Sequence, residues 1–175
     1  MCIRDRKYVT NNPKLICTVR HPLDILASFI TLIRKDGSYS FIDRAMTELK
    51  VPLNDDNRCH FLMNPGGVVW ESMNALATAY RQKQSHHVHL IQYDDLISNP
   101  KLVMQNLHGF LQLNSFQYDF NNVIQKDREN DVEVYGLPTM HEVRKSINKI
   151  SKPYSEVLST DVINKYINYD FWNQQ

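Results

Sequence analysis

Glycine, cysteine and excess charge are all scarce in this chain, and each scarcity excludes something. Only 5 of 175 residues are glycine. The one adjacent pair, Gly66-Gly67, follows Pro65 and is not followed by Lys-Ser/Thr, so the sequence holds no P-loop to cradle a nucleotide's phosphates. The 3 cysteines, Cys2, Cys17 and Cys59, have neither paired nor metal-type spacing. That excludes a disulfide scaffold and fits a reducing, cytoplasmic compartment. The 20 basic residues nearly balance 19 acidic ones, for a net charge of +1. No bulk field exists for nucleic acid or an anionic membrane surface, so any phosphate site must be local. No apolar run approaches the roughly 20 residues of a membrane span, and no repeat or low-complexity tract is present. With 42% hydrophobic and 22% charged residues, positions 14–175 are expected to form one globular α/β domain with a real core.

That domain is organised around Lys14–Ile33, KLICTVRHPLDILASFITLI. Leu15, Ile16, Cys17 and Val19 form a short apolar run that suits a strand. Arg20 and His21 follow, then Pro22, which is tolerated in a first helical turn. Ile25, Leu26, Phe29, Ile30 and Ile33 recur at helical spacing. The stretch therefore reads as strand, tight turn and helix, with an arginine at the strand's carboxyl end, where open α/β sheets place ligands. Ser28 falls eight positions after Arg20, about two helical turns on. Guanidinium and hydroxyl could grip one phosphate from two sides. The same residues equally suit a surface salt bridge and a packed helical serine.

A second strand is expected at Val88–Tyr93, its near-continuous apolar run suiting burial on both faces. Tyr93 would share an edge with Arg20 if the strands are parallel. Asp94 and Asp95 read as turn residues. Asn99 is expected to cap a helix that begins at Pro100 and packs through Leu102, Val103, Leu107, Phe110 and Leu111. Between the strands, helices are expected at 40–50, with Leu49 inward, and at 68–84. Residues 51–67, holding Asn54-Asp55-Asp56-Asn57, read as loop. Further on, 115–125 reads as helix, 126–131 as a solvated charged run, and 160–172 as a helix capped by Thr160, with Phe171-Trp172 docking its end. Cys59-His60 and the cluster His86, His87 and His89 lack fixed-spacing partners, so no metal is expected.

Two segments carry a family resemblance. VRHPLDILASF resembles the 3′-phosphate-binding segment of sulfotransferases that use 3′-phosphoadenosine-5′-phosphosulfate (PAPS). In that family a strand ends in Arg, Pro follows shortly, and Ser comes eight residues after the Arg. HLIQYDDLISNPKLVMQNLHGFLQL, residues 89–113, resembles the family's strand-Tyr-Glu-Asp-Leu segment with its following Asn-Pro and amphipathic helix. The resemblance covers residues 14–172. It implies a P-loop-NTPase-like fold: a three-layer parallel sheet flanked by helices, here lacking the first strand and the phosphosulfate loop. It implies PAPS as co-substrate, 3′,5′-ADP as product, no metal, and a carbohydrate, tyrosine or small-molecule acceptor. It also implies that Arg20 and Ser28 hold the 3′-phosphate and that Tyr93 lies against adenine. Arg144-Lys145 would close a late basic loop over the phosphate, although Ser146 stands where the cytosolic branch has glycine. Residues 51–67 would be a candidate acceptor wall. The family's donor lysine and acceptor base precede the Arg-bearing strand and have no counterpart here, so the chain alone is expected to bind nucleotide with little activity. A non-catalytic nucleotide-binding or interaction module, and a P-loop small-molecule kinase relative, stay open as alternatives. Finally, MCIRDR, residues 1–6, back-translates to the end of a common transposon adapter and is expected to be non-native.

Overall fold

The computed structural model describes residues 12–36, 39–127, 129–137, 139–149 and 151–173; the adapter-like residues 1–6 lie outside them. Strand β1, Leu15–Val19, leads through Arg20 and His21 into helix α1, Pro22–Asp36. Helices α2, Phe41–Glu48, α3, Asp55–Met63, and α4, Val68–Arg81, follow before strand β2, Val88–Gln92. Then come α5, Tyr93–Ser98, α6, Pro100–Leu111, α7, Asp131–Tyr135, and α8, Thr160–Tyr166, with single 3₁₀ turns at Ser85–His87, Tyr154–Glu156 and Phe171–Asn173.

Among the described residues the sheet is the parallel pair β1–β2, in register from Leu15 with Val88 to Val19 with Gln92. Side chains alternate across it. Cys17, Val19, Val88 and Leu90 join Leu76 and Tyr80 of α4 and Trp172 in one apolar cluster. On the opposite face Phe110 of α6 stacks on His89, ring centroids 5.0 Å apart. Burial of the second strand on both faces is not what forms: Ile91 is its one fully buried residue, and Ile16 of β1 stays 48% exposed. A two-stranded pair has too few neighbours to cover both faces of each strand.

The main core lies between helices. Leu23, Leu26 and Ile30 of α1, Ile42 and Met46 of α2, Leu62 of α3, Val162 of α8, and Leu137, which follows α7, are almost wholly buried together. Helix α2 starts with a reciprocal capping box, in which Asp43 N–H donates to Ser40 Oγ and Ser40 N–H donates to Asp43 Oδ2. Asp43 also receives Arg58 Nε at 2.8 Å, and Arg58 reaches Asp55 at 2.9 Å. This largely buried carboxylate–guanidinium pair joins α2 to α3. Gly67 permits the α3–α4 corner, because a Cβ there would lie 2.3 Å from the Phe61 carbonyl oxygen.

Five further expectations need correction. Residues 51–67 contain α3: Asn54 is its N-cap, accepting the Asn57 N–H, and the two aspartates occupy its first turn, where a helix dipole favours anions. Residues 115–125 are not helical. Val123 N–H donates to Lys145 O and Ile147 N–H to Phe120 O, so this stretch spends its backbone groups on the 141–147 segment. Asp94 and Asp95 lie in α5, not in a turn. Leu49 follows α2 and is 66% exposed, while the cap of α8 is Ser159, one residue before the expected Thr160. Asn99 does cap α6, accepting the Leu102 N–H, and Trp172 is buried.

The Cys59 thiol is pushed up to about 12, first by burial and then by Asp56 and Asp55. Truncating Leu26 to alanine should cost about 2–5 kcal/mol in urea unfolding, and Leu49→Ala under about 0.5 kcal/mol. Equal costs would mean that the core has been assigned to the wrong face of these helices.

Candidate functional site

The site lies where β1 and β2 end side by side. Val19 pairs with Gln92, so the next residues, Arg20 and Tyr93, leave the sheet together at its carboxyl edge. The Arg20 guanidinium carbon stands 4.3 Å from the Tyr93 ring centroid, a cation–π contact. Its Nη2 donates to Ser151 Oγ at 2.8 Å, and its Nε is buried without a partner among the described residues. A buried guanidinium N–H left unpaired is costly, by about 1–3 kcal/mol, and an anionic oxygen is the partner such a donor favours.

The late loop converges on the same corner. Lys149 Nζ meets Asp94 Oδ1 at 3.1 Å, and Ser151 meets Arg20. Arg144 and Lys145 lie farther back along this loop, both exposed, where Lys145 O accepts the Val123 N–H. Ser28 is exposed on the side of α1 opposite Leu23, Leu26 and Ile30. Arg20 and Tyr93 are thus in direct contact, Ser28 faces solvent two turns along the helix, and Arg144-Lys145 stand on the loop whose other end reaches Arg20.

Beside Arg20 opens a cleft of about 610 Å³. Thr18 and Arg20 form one wall, Phe29 and Phe41 another, and Val69, Met73 and Trp172 much of the rest. The expected acceptor wall, residues 51–67, contributes no lining residue to it; α4, Val134, Tyr135 and Met140 do.

A family model described as the sulfotransferase domain matches residues 5–168 of the chain. The chain belongs to the sulfotransferase domain family. No curated protein matches it. The mixed α/β fold with its small parallel sheet is compatible with a sulfotransferase, and no helix among the described residues is long and apolar enough to cross a membrane. Within this sulfotransferase-family chain, the site described above is the Arg20–Tyr93 edge. Two neighbours of that edge escaped sequence reasoning. Ser151 carries no motif that would mark it. His21 does carry a signal, because the residue before a helix-starting proline is an N-cap position.

Away from this edge, Glu129, Asp131 and His141 bring three potential ligand atoms within 4.8 Å of one another. Their contacts account for one another: the His141 N–H and its ring Nδ1 both lie 2.8 Å from Asp131 oxygens. The His141 backbone N–H is the main reason the Asp131 carboxyl is held below the usual carboxylate range. A depressed folded value means that Asp131 contributes stability above about pH 4, and that this is lost as the pH falls through its folded value. Asp131→Asn should therefore lower the neutral plateau of a thermal-melting profile while leaving its most acid end in place, so that the acid limb flattens. An unchanged acid limb would remove Asp131 from the account of acid sensitivity.

Proposed function

We propose that this chain carries the 3′-phosphate and adenine side of the nucleotide site of a PAPS-dependent sulfotransferase. The observation that carries the reading is the Arg20–Tyr93 pair at the carboxyl edge of the parallel strands, with a buried guanidinium N–H unspent. Arg20 supplies charge and forked donors to the 3′-phosphate, and the exposed Ser28 hydroxyl adds a hydrogen bond. Tyr93 has one ring face on the guanidinium and offers its other side to the purine. Arg144 and Lys145, exposed on the late loop, supply further positive charge above the phosphate. In this reading β1 and β2 are part of a P-loop-NTPase-like three-layer sheet.

Sulfuryl transfer breaks the bond from sulfur to the bridging phosphate oxygen and forms one from sulfur to an acceptor oxygen or nitrogen, whose proton passes to a base. It needs donors on the leaving phosphate, a base, and a rigid hold on the nucleotide. These residues provide the hold. The 175 residues include no phosphosulfate loop, so the chain alone is expected to bind PAPS or 3′,5′-ADP and to turn over little. Binding that needs no divalent metal separates this reading from a kinase relative, whose phosphoryl chemistry uses magnesium.

Calorimetry with 3′,5′-ADP tests the proposal. Arg20→Ala should weaken binding by about 10- to 100-fold, the loss of a hydrogen-bonded charge pair, and should leave 5′-AMP, which lacks the 3′-phosphate, nearly unaffected. Affinity for 3′,5′-ADP that is insensitive to Arg20 would remove the phosphate site.

A further inference from the structure

His21 stands between the Arg20 side chain and the first helical turn, and its imidazole is held at both nitrogens. Nδ1 lies 3.1 Å from the Leu23 N–H, and Nε2 lies 3.1 Å from the Ile167 carbonyl oxygen. An amide N–H only donates and a carbonyl only accepts. Nδ1 must therefore be bare and Nε2 must carry the hydrogen. The neutral Nε2–H form satisfies both contacts, the imidazolium loses the one to Leu23, and the other neutral tautomer loses both.

This geometry does two things. The Leu23 N–H is one of the unpaired amides of the first turn of α1, so the ring acts as that helix's N-cap in place of the usual hydroxyl or carboxylate. The Nε2–H ties the strand exit to the end of α8 through Ile167. The ring also lies nearly parallel to Tyr154, centroids 5.9 Å apart at 21°. Tyr154 is three residues beyond Ser151, the partner of Arg20. One short segment, 151–154, therefore touches Arg20 at one end and His21 at the other.

We propose that His21, as the neutral Nε2–H imidazole, is a positioning residue that fixes the strand exit and with it the direction in which Arg20 presents its guanidinium to the nucleotide's 3′-phosphate. This rests on the reading of Arg20 given above. The charged or titratable groups facing the ring are Asp170, whose Oδ2 is 4.0 Å from Nε2, and Tyr154; Arg20 and Asp24 flank it in sequence.

The experiment compares 3′,5′-ADP affinity at neutral pH for the native chain, Arg20→Ala, His21→Ala and His21→Asn, alongside nitrogen-15 NMR of the His21 ring without ligand. Asparagine can cap the helix and donate an N–H. His21→Ala should weaken binding roughly five-fold or more. His21→Asn should recover affinity to within about two-fold. NMR should show Nδ1 bare and Nε2 protonated. Native-like affinity in His21→Ala together with lost binding in Arg20→Ala overturns the positioning role alone. So does a protonated Nδ1 at neutral pH. Binding that ignores Arg20→Ala overturns both readings, and the two failures are thereby distinct. Should His21→Ala fail to fold, His21→Asn and the ring tautomer still decide.

Discussion

Parallel pairing of two five-residue strands is the constraint on which this protein's site depends. Because β1 and β2 run the same way and in register from Leu15 with Val88 to Val19 with Gln92, the residues that follow them emerge at a common edge. An antiparallel pair would have sent Arg20 and Tyr93 to opposite ends of the sheet. Their cation–π contact is thus a consequence of topology before it is a consequence of attraction. The contact itself is worth about 1 kcal/mol, too little to bring two chain segments together but enough to orient a guanidinium already delivered there.

The helices serve that edge unequally. Helix α4 supports one side of the sheet through Leu76 and Tyr80, and Phe110 of α6 lies against the other. Helices α2 and α3 are joined by a more polar device, the Ser40–Asp43–Arg58–Asp55 network. Such a buried pair is better evidence for a specified geometry than for net stability, since removing one partner strands the other. Cys59 lies beneath the same corner with its thiol held protonated by burial, which makes it packing material rather than a nucleophile.

What could be read in the sequence was what local rules determine. The strand–turn–helix around Arg20 follows from a β-branched run, a proline and a helical apolar period, and it forms as those rules dictate. Asn99-Pro100 caps its helix for the same reason. What could not be read was decided by distant partners. Asn54-Asp55-Asp56-Asn57 has the composition of a loop, and becomes a cap and first turn only because Cys59, Leu62 and Met63 find a core to enter. Residues 115–125 have the composition of a helix, yet Phe120 and Val123 bond across to residues 145–147. At the strand edge, the positions of Arg20 and Tyr93 were legible because each ends a contiguous apolar run. Ser151 was not, because nothing in its neighbours marks it as the residue that meets Arg20.

The span of those contacts sets the order in which the molecule assembles. Arg20 and Ser151 are separated by 131 positions, and His21 and Ile167 by 146. Closing loops of that length forfeits chain entropy before any contact repays it. The helical core, whose partners in α1, α2 and α3 are near neighbours in sequence, can collapse first. The Arg20–Tyr93 edge is then a late arrival in folding and an early departure in partial opening, so hydrogen exchange there should reveal a local breathing motion well below the global unfolding free energy.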